Sequence, residues 1–201
     1  MRSGAPAFGT PENTRANIIA GQLARRYGLP CRRSNSNASN AVDLQAAYEA
    51  AMATWGAVMG GGNLIDHAAG WLEGGLTASC EKLVLHGEIL QNMLEFLKPF
   101  DTSEAELGFD AIAAVPTGGH FFGAAHTMER YETAFYRPML SDWTNYGAWE
   151  AAGAKDALTR ATAIWQQALR DYEEPPLDAA IREELEAYVA RRKEEIGSDE
   201  P

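Results

Sequence analysis

Two patterns of hydrophobic and polar positions alternate along this chain. Long mixed stretches carry helix signals, and short apolar runs are bounded by glycine, proline or polar clusters. Thr10-Pro11-Glu12 opens a first helix: threonine caps, proline fits the first helical position, and glutamate suits the positive dipole end. That helix runs to Tyr27 and stops at Gly28. Leu29-Pro30-Cys31-Arg32-Arg33 is a candidate strand, and residues 34–40 form a polar loop rich in serine and asparagine. Asp43 caps a second helix, which carries Ala, Tyr, Met and Trp through Met59 and ends at Gly60-Gly61-Gly62. Asn63-Leu64-Ile65-Asp66 is the next candidate strand, and a glycine-rich loop follows over residues 67–76.

A third helix is expected from about residue 78 to residue 97, ending before Pro99. Ser103-Glu104-Ala105-Glu106 reads as a capping box opening a short fourth helix. Val115-Pro116-Thr117-Gly118-Gly119-His120-Phe121 is an irregular loop or short strand. From Thr127 the pattern is helical and polar. It has a short helical turn at residues 145–149 and an amphipathic stretch over 155–172, with Ile164, Trp165 and Leu169 on one side. Pro175-Pro176 breaks that stretch, and Asp178 caps a last helix that runs into a charged, frayed tail from Arg191.

The order helix, strand, helix, strand, helix is the α/β alternation of a parallel sheet. The strands near residues 29–33 and 64–66 should therefore be adjacent and parallel, with the loops that follow them on one side. A closed (β/α)8 barrel takes about 250 residues, and the βα units here occupy roughly the first 125, enough for about three of the eight. If the fold is a barrel, this is its C-terminal part: residues 1–126 supply βα units and residues 127–201 a helical C-terminal extension of the same domain. A partial barrel leaves sheet edges unpaired, so self-association is expected.

Composition narrows the partners. With 17 Lys and Arg against 28 Asp and Glu, the net charge is −11. Such a surface repels phosphate backbones and anionic lipid, which argues against nucleic acid and membrane partners. Cys31 and Cys80 lie far apart, and no C-x-x-C or Cys/His cluster supports a metal site. No apolar run reaches the roughly 18 residues of a membrane span, and the N-terminus lacks the apolar region of a secretory signal. The expectation is a cytoplasmic protein with reduced thiols.

Functional groups of an α/β sheet gather in the loops after its strands, and three loops qualify. The first, Ser34-Asn35-Ser36-Asn37-Ala38-Ser39-Asn40, offers neutral donors and acceptors or is simply a solvated loop. The second, residues 67–78, sets His67, Trp71 and Glu73 among glycines. A Trp face attracts a quaternary ammonium and a carboxylate adds charge attraction; alternatively Trp71 is packing and Glu73 a surface carboxylate. The third, residues 118–126, holds His120 and His126 with Phe121 and Phe122 between them. Its glycines allow close backbone approach to a ligand, and either histidine can equally be a hydrogen-bonded structural residue. His86, in mid-helix, is expected to be structural. Neither G-x-S-x-G, GxGxxG nor a P-loop occurs.

Four blocks carry a resemblance. They are Ser3-Gly-Ala-Pro-Ala-Phe-Gly-Thr-Pro-Glu12, Gln22-Leu-Ala-Arg-Arg-Tyr-Gly-Leu-Pro30, Asn63-Leu-Ile-Asp-His-Ala-Ala-Gly-Trp-Leu-Glu-Gly-Gly-Leu-Thr-Ala-Ser79, and Gly118-Gly-His-Phe-Phe-Gly-Ala-Ala-His-Thr127. Together they resemble the trimethylamine methyltransferase family, and the later Asp142-Trp-Thr-Asn-Tyr, Gly153-Ala-Lys-Asp156 and Pro175-Pro-Leu-Asp178 fit its C-terminal tail. The resemblance covers essentially the whole chain, as the C-terminal portion of such an enzyme.

The resemblance implies a TIM barrel and transfer of a methyl group from a methylated amine to the cobalt of a partner corrinoid protein, with no cofactor bound directly. Archaeal members carry pyrrolysine. This sequence has no non-standard residue and is similar to the glycine-betaine-type members, so a quaternary amine is the expected donor. On that reading the three loops offer Trp71, Phe121 and Phe122 as candidate aromatic contacts for the ammonium, with Asn35 and Asn37 as candidate neutral polar contacts. His67, Glu73, His120 and His126 are the candidates to orient the substrate or meet the corrinoid. Two departures bear on the substrate: Ala124 stands where members often have a further histidine, and the Ser/Asn loop replaces a Gly-rich stretch with Asp and Lys. The rival expectation is a non-catalytic remnant or interaction fragment that pairs with a missing half or with a corrinoid protein.

Overall fold

Helix α1 (Pro11–Tyr27) begins and ends where its capping residues dictate. The Thr10 hydroxyl accepts the Asn13 N–H at 3.2 Å, and Gly28 takes the left-handed conformation, φ 66°, that terminates the helix. The computed structural model containing it describes Gly4 and residues 6–197. Ser3 and Ala5 of the first resemblance block, and residues 198–201 of the charged tail, lie outside the described residues.

Helix α2 (Leu44–Met59) is capped by Asp43. It buries Ala46, Ala50, Ala53 and Ala57, spaced so that they share one face. Glycines allow α1 and α2 to approach closely. A Cβ at Gly21 would lie 1.8 Å from the Gly60 carbonyl oxygen, and one at Gly56 would lie 2.7 Å from Thr14 Cγ2.

Strands β1 (Arg32–Ser34) and β2 (Leu64–Asp66) flank α2 and pair in parallel, with Arg32 opposite Leu64 and Ser34 opposite Asp66. The adjacent parallel pair expected from the alternation is present. β1 starts later than its apolar lead-in because Asn63 engages the Cys31 backbone. The Asn63 side chain accepts the Cys31 N–H at 2.8 Å, and its own N–H donates to the Cys31 carbonyl at 2.7 Å.

The glycine-rich stretch after β2 is more ordered than a plain loop. Strand β3 (Trp71–Leu72) pairs antiparallel with β4 (Thr77–Ala78) around a 3-10 turn at Glu73–Gly75. Helix α3 (Cys80–Leu97) follows, its N-terminus capped by the Ser79 hydroxyl. The expected capping box at Ser103 does not form. The Ser103 hydroxyl donates to Asp101 Oδ2 at 3.0 Å instead of closing α4 (Glu104–Leu107). Helix α5 (Phe109–Ala114) comes next, and residues 115–124 form an irregular loop and no strand. The remaining helices are α6 (Ala125–Arg130), α7 (Tyr146–Ala151), α8 (Ala157–Arg170) and α9 (Ala179–Ile196), the last capped by Asp178.

The architecture is thus mixed α/β and mostly helical, with four short strands among the described residues. Described residues up to Gln166 form one compact unit and those from Gln167 onward a second. In the first unit two buried or half-buried carboxylates of α3 secure the segments that follow. Glu88 accepts the Met139 and Leu140 N–H groups at 2.9 and 3.0 Å and the Ser141 and Tyr136 hydroxyls at 3.0 and 3.3 Å. Glu81 accepts Trp165 Nε1–H at 2.7 Å and the Thr162 hydroxyl at 3.1 Å. This places Val84, Leu140 and Ala161 in one apolar cluster, with Leu85, Ile164 and Trp165 against it. No described helix is long and apolar enough to cross a membrane.

Candidate functional site

The segments leaving β1 and β2 are stitched together. The Asn35 N–H extends the parallel ladder to the Asp66 carbonyl at 3.1 Å. Glu73 and Gly74 then donate their N–H groups to the Ser39 and Asn37 carbonyls at 2.9 and 2.7 Å. Both loops therefore lie at the same end of the strand pair, where ligands of parallel sheets gather.

The first loop turns its polar side chains inward. Asn35, Ser36, Asn37 and Ser39 are all buried, so it is not a solvated loop. A buried polar group is costly unless paired, and the neighbouring helices provide partners. Asn35 Nδ2 donates to the Thr54 hydroxyl of α2 at 2.8 Å and to the Ala68 carbonyl at 3.3 Å. Buried Glu49, also on α2, accepts the Ala38 and Ser39 N–H groups at 2.8 and 3.0 Å and the Gln45 amide at 2.7 Å. From α3, Lys82 is fully buried and donates Nζ–H to Asn37 Oδ1 at 2.5 Å. Burial lowers the Lys82 ammonium to about 8, while the carboxylates of Glu49 and Asp43 oppose the shift.

His86 lies one turn further along α3, also fully buried. Its Nδ1 accepts the Gly70 N–H at 3.2 Å, which requires a neutral ring protonated on Nε2. Burial first, and the nearby Lys82 charge second, lower it to about 4, against an opposing contribution from the Ala68 backbone. Its structural assignment from the sequence agrees with this role.

Above that floor sits a more exposed layer. The His67 ring packs edge-on against Trp71, with ring centres 5.5 Å apart, and its Nδ1 is 3.3 Å from the Ser34 hydroxyl. Glu73 accepts the Thr77 hydroxyl at 2.8 Å. His67 and Glu73 take φ values of 52° and 51°, in a region that non-glycine residues rarely occupy. Such strain persists only where the surroundings over-determine it, and it concentrates at functional sites.

Five of the sequence candidates, Asn35, Asn37, His67, Trp71 and Glu73, thus come together in these two loops. The other four do not join them. His120 packs against Phe122 at 5.1 Å, and Phe121 and Phe122 are exposed. His126 stands at the start of α6, where its ring lies so close to Gly108 that a Cβ there would sit 3.1 Å from Nε2. No hydrogen bond or ring contact among the described residues links these four to the first two loops. Thr54, Glu49 and Lys82 were not among the sequence candidates. The signal for Lys82 lies in spacing: Lys82, His86 and Met93 fall on one face of α3, and that face is buried.

The family described as trimethylamine methyltransferase (MTTB) matches residues 1–197. Three relatives show the range of similarity. A glycine betaine methyltransferase of Desulfitobacterium hafniense (strain Y51) is 38% identical over 99% of this chain and 42% of its own length. A trimethylamine methyltransferase of Methanosarcina barkeri (strain Fusaro) is 32% identical over 94% of this chain and 38% of its own. A trimethylamine methyltransferase of Desulfitobacterium hafniense (strain DCB-2) is 28% identical over 98% of this chain and 40% of its own. The chain spans about two fifths of the length of these curated relatives.

Proposed function

The chain belongs to the trimethylamine methyltransferase family, and on that premise we propose that it serves an enzyme moving a methyl group from a quaternary amine to the cobalt of a partner corrinoid protein. The observation that carries this reading is the paired-loop site, with Trp71 and Glu73 set above a buried floor of Asn35, Asn37 and Lys82. A quaternary nitrogen has no N–H to donate, so aromatic faces and carboxylate charge are what a site can offer it. The loop between β2 and α3 supplies both. The first relative's name, glycine betaine methyltransferase, supports the same donor class.

When bound, the partner's corrinoid would supply the nucleophile for the methyl group. The chain's own residues then have to bind, orient and shield the donor. When the N–CH3 bond breaks, its electron pair stays on nitrogen and the leaving amine is neutral, so no acid is needed to protonate it. His67 orients Trp71 by ring contact, and Glu73 balances the cation. The exposed pair His120 and Phe122, with Phe121 and His126, is assigned to contact with the corrinoid or with the far side of the donor.

On this reading β1, α2 and β2 are part of a larger parallel (β/α)8 barrel. Residues 1–126 supply its C-terminal βα units, and residues 127–201 a helical extension.

The test is donor consumption. The chain is incubated with a reduced corrinoid protein and, separately, with glycine betaine and trimethylamine. The donor is followed by proton NMR and the corrinoid by its visible spectrum. The expected result is one-for-one loss of a methyl group from the betaine. Consumption of trimethylamine but not betaine would overturn the donor class. Consumption of neither, with a partner that is methylated by a full-length relative, would overturn the assignment of activity to this chain.

A further inference from the structure

Glu73, Gly74 and Gly75 take φ values of 51°, 67° and 98°, left-handed residues in succession. L-residues enter that region at a cost, so such a run holds only where outside contacts fix it. The turn's own bond is long: the Leu76 N–H reaches the Glu73 carbonyl at 3.3 Å. Shorter bonds tie the turn to the first loop, from the Glu73 N–H to the Ser39 carbonyl at 2.9 Å and from the Gly74 N–H to the Asn37 carbonyl at 2.7 Å.

Both accepting residues are gripped from below by a buried ion. Glu49 on α2 accepts the Ser39 N–H at 3.0 Å and the adjoining Ala38 N–H at 2.8 Å. Lys82 on α3 donates to the Asn37 side chain at 2.5 Å. Glu49 is 5% exposed and Lys82 0%. The two charges feel each other: burial lowers the Lys82 ammonium, and the Glu49 carboxylate, ahead of Asp43, opposes that shift. Buried opposite charges are a weak source of stability, because desolvation offsets their attraction. What this arrangement supplies is position. One path runs from Glu49 through Ser39 to Glu73, the other from Lys82 through Asn37 to Gly74.

We propose that Glu49 and Lys82 are positioning residues for Glu73: through Ser39 and Asn37 they set where its carboxylate stands against the ammonium of a quaternary amine. This rests on the reading of Glu73 as the counter-charge to the donor. Both ions are buried, so they act through the turn. For Lys82, charge and position have opposite signs. Removing a cation from beneath a cation site would tighten binding by charge alone, whereas loosening the turn weakens it.

Titration calorimetry with two probes tests this. They are glycine betaine and tert-butylacetate, in which carbon replaces the quaternary nitrogen and the positive charge is absent. Both carry the same carboxylate, so the ratio of their affinities reads the contact with the ammonium charge. Glu73→Gln should lower that ratio by about three- to fivefold, the scale of an exposed ion pair. Lys82→Met and Glu49→Gln should each lower it by about twofold or more. In a Glu73→Gln background neither should lower it further, because the carboxylate they position is gone. Lys82→Met carries the test alone if circular dichroism shows Glu49→Gln unfolded. A ratio that is unchanged or raised in Lys82→Met would overturn the positioning role, and so would losses that add to that of Glu73→Gln. A parent that binds both probes alike, or a Glu73→Gln ratio equal to the parent's, sinks the counter-charge reading itself, and the positioning role with it.

Discussion

Lys82 Nζ and Asn37 Oδ1, 45 residues apart in sequence, meet at 2.5 Å in the interior beneath the paired loops. The two residues are not interchangeable in what their loss exposes. Replacing Lys82 by Met removes a buried charge and leaves one amide oxygen without its donor, a cost of about 1 kcal/mol. Asn37→Leu leaves a buried ammonium without its acceptor, which costs roughly 3 kcal/mol. Urea denaturation of both single variants and the double variant should show Asn37→Leu as the worse single change, with Lys82→Met partly rescuing it. Equal costs, or additive ones, would refute the pairing.

The same lysine predicts a pH dependence. Its folded value of about 8 lies below the ordinary 10.5. Between these values the unfolded chain holds a proton that the folded chain has released, so this group makes stability rise with pH. The stability difference between the parent and Lys82→Met should shift in favour of the parent from pH 8 to 10.5. A flat difference across that window would place Lys82 in a wetter setting.

His86 acts in the acidic range. It is held at about 4 against an ordinary 6.5, so as pH falls through this window the unfolded chain takes up a proton that the folded chain refuses. Stability is retained above pH 6.5 and falls by up to roughly 3 kcal/mol on reaching pH 4. His86→Gln, which cannot titrate, should lose less over the same range in thermal or urea unfolding.

Gly21 is tested by steric argument alone. Alanine in mid-helix normally gains up to about 1 kcal/mol over glycine. Here its Cβ would fall 1.8 Å from the Gly60 carbonyl oxygen, on backbone that cannot give way locally. Gly21→Ala should therefore destabilise the chain by about 3 kcal/mol or more. A midpoint equal to or above the parent's would mean that α1 and α2 cross with more room than the structure shows.

These outcomes rest on contacts that differ in how far the sequence reveals them. Thr10-Pro11 and Gly28 bound α1, and Asp43 opens α2, because capping is a local chemistry written in consecutive residues. Ser103-Glu104-Ala105-Glu106 has the same local signature and fails, because Asp101 competes for the serine hydroxyl. The alternation gave β1 beside β2, but strands of two residues such as β3 and β4 are too short for any period to register. Whether residues 34–40 are wet or buried was not legible locally. Their burial depends on Thr54, Glu49 and Lys82, which arrive from two helices further along the chain. His67, Trp71 and Glu73 were legible as a group because they lie within seven residues of each other. The separation of His120 and His126 from them is a property of the path through α4, α5 and α6.

Trp71 provides the sharpest test of the proposed donor site. Its ring is partly exposed, held edge-on by His67, in the same loop as the exposed Glu73. If a quaternary ammonium rests on that ring, Trp71→Ala removes a cation–π contact and should weaken binding by about 1–2 kcal/mol. Trp143 is the control. It is exposed and packs on Tyr136 with ring centres 6.3 Å apart, so Trp143→Ala should change local packing and leave ligand affinity unaltered. Titration calorimetry with glycine betaine compares the two, and a tertiary amine titrated alongside separates recognition of the quaternary charge from general affinity for amines. Betaine binding to Trp71→Ala that matches the parent places the ammonium elsewhere, and the exposed aromatics Phe121 and Phe122 then become the next residues to remove.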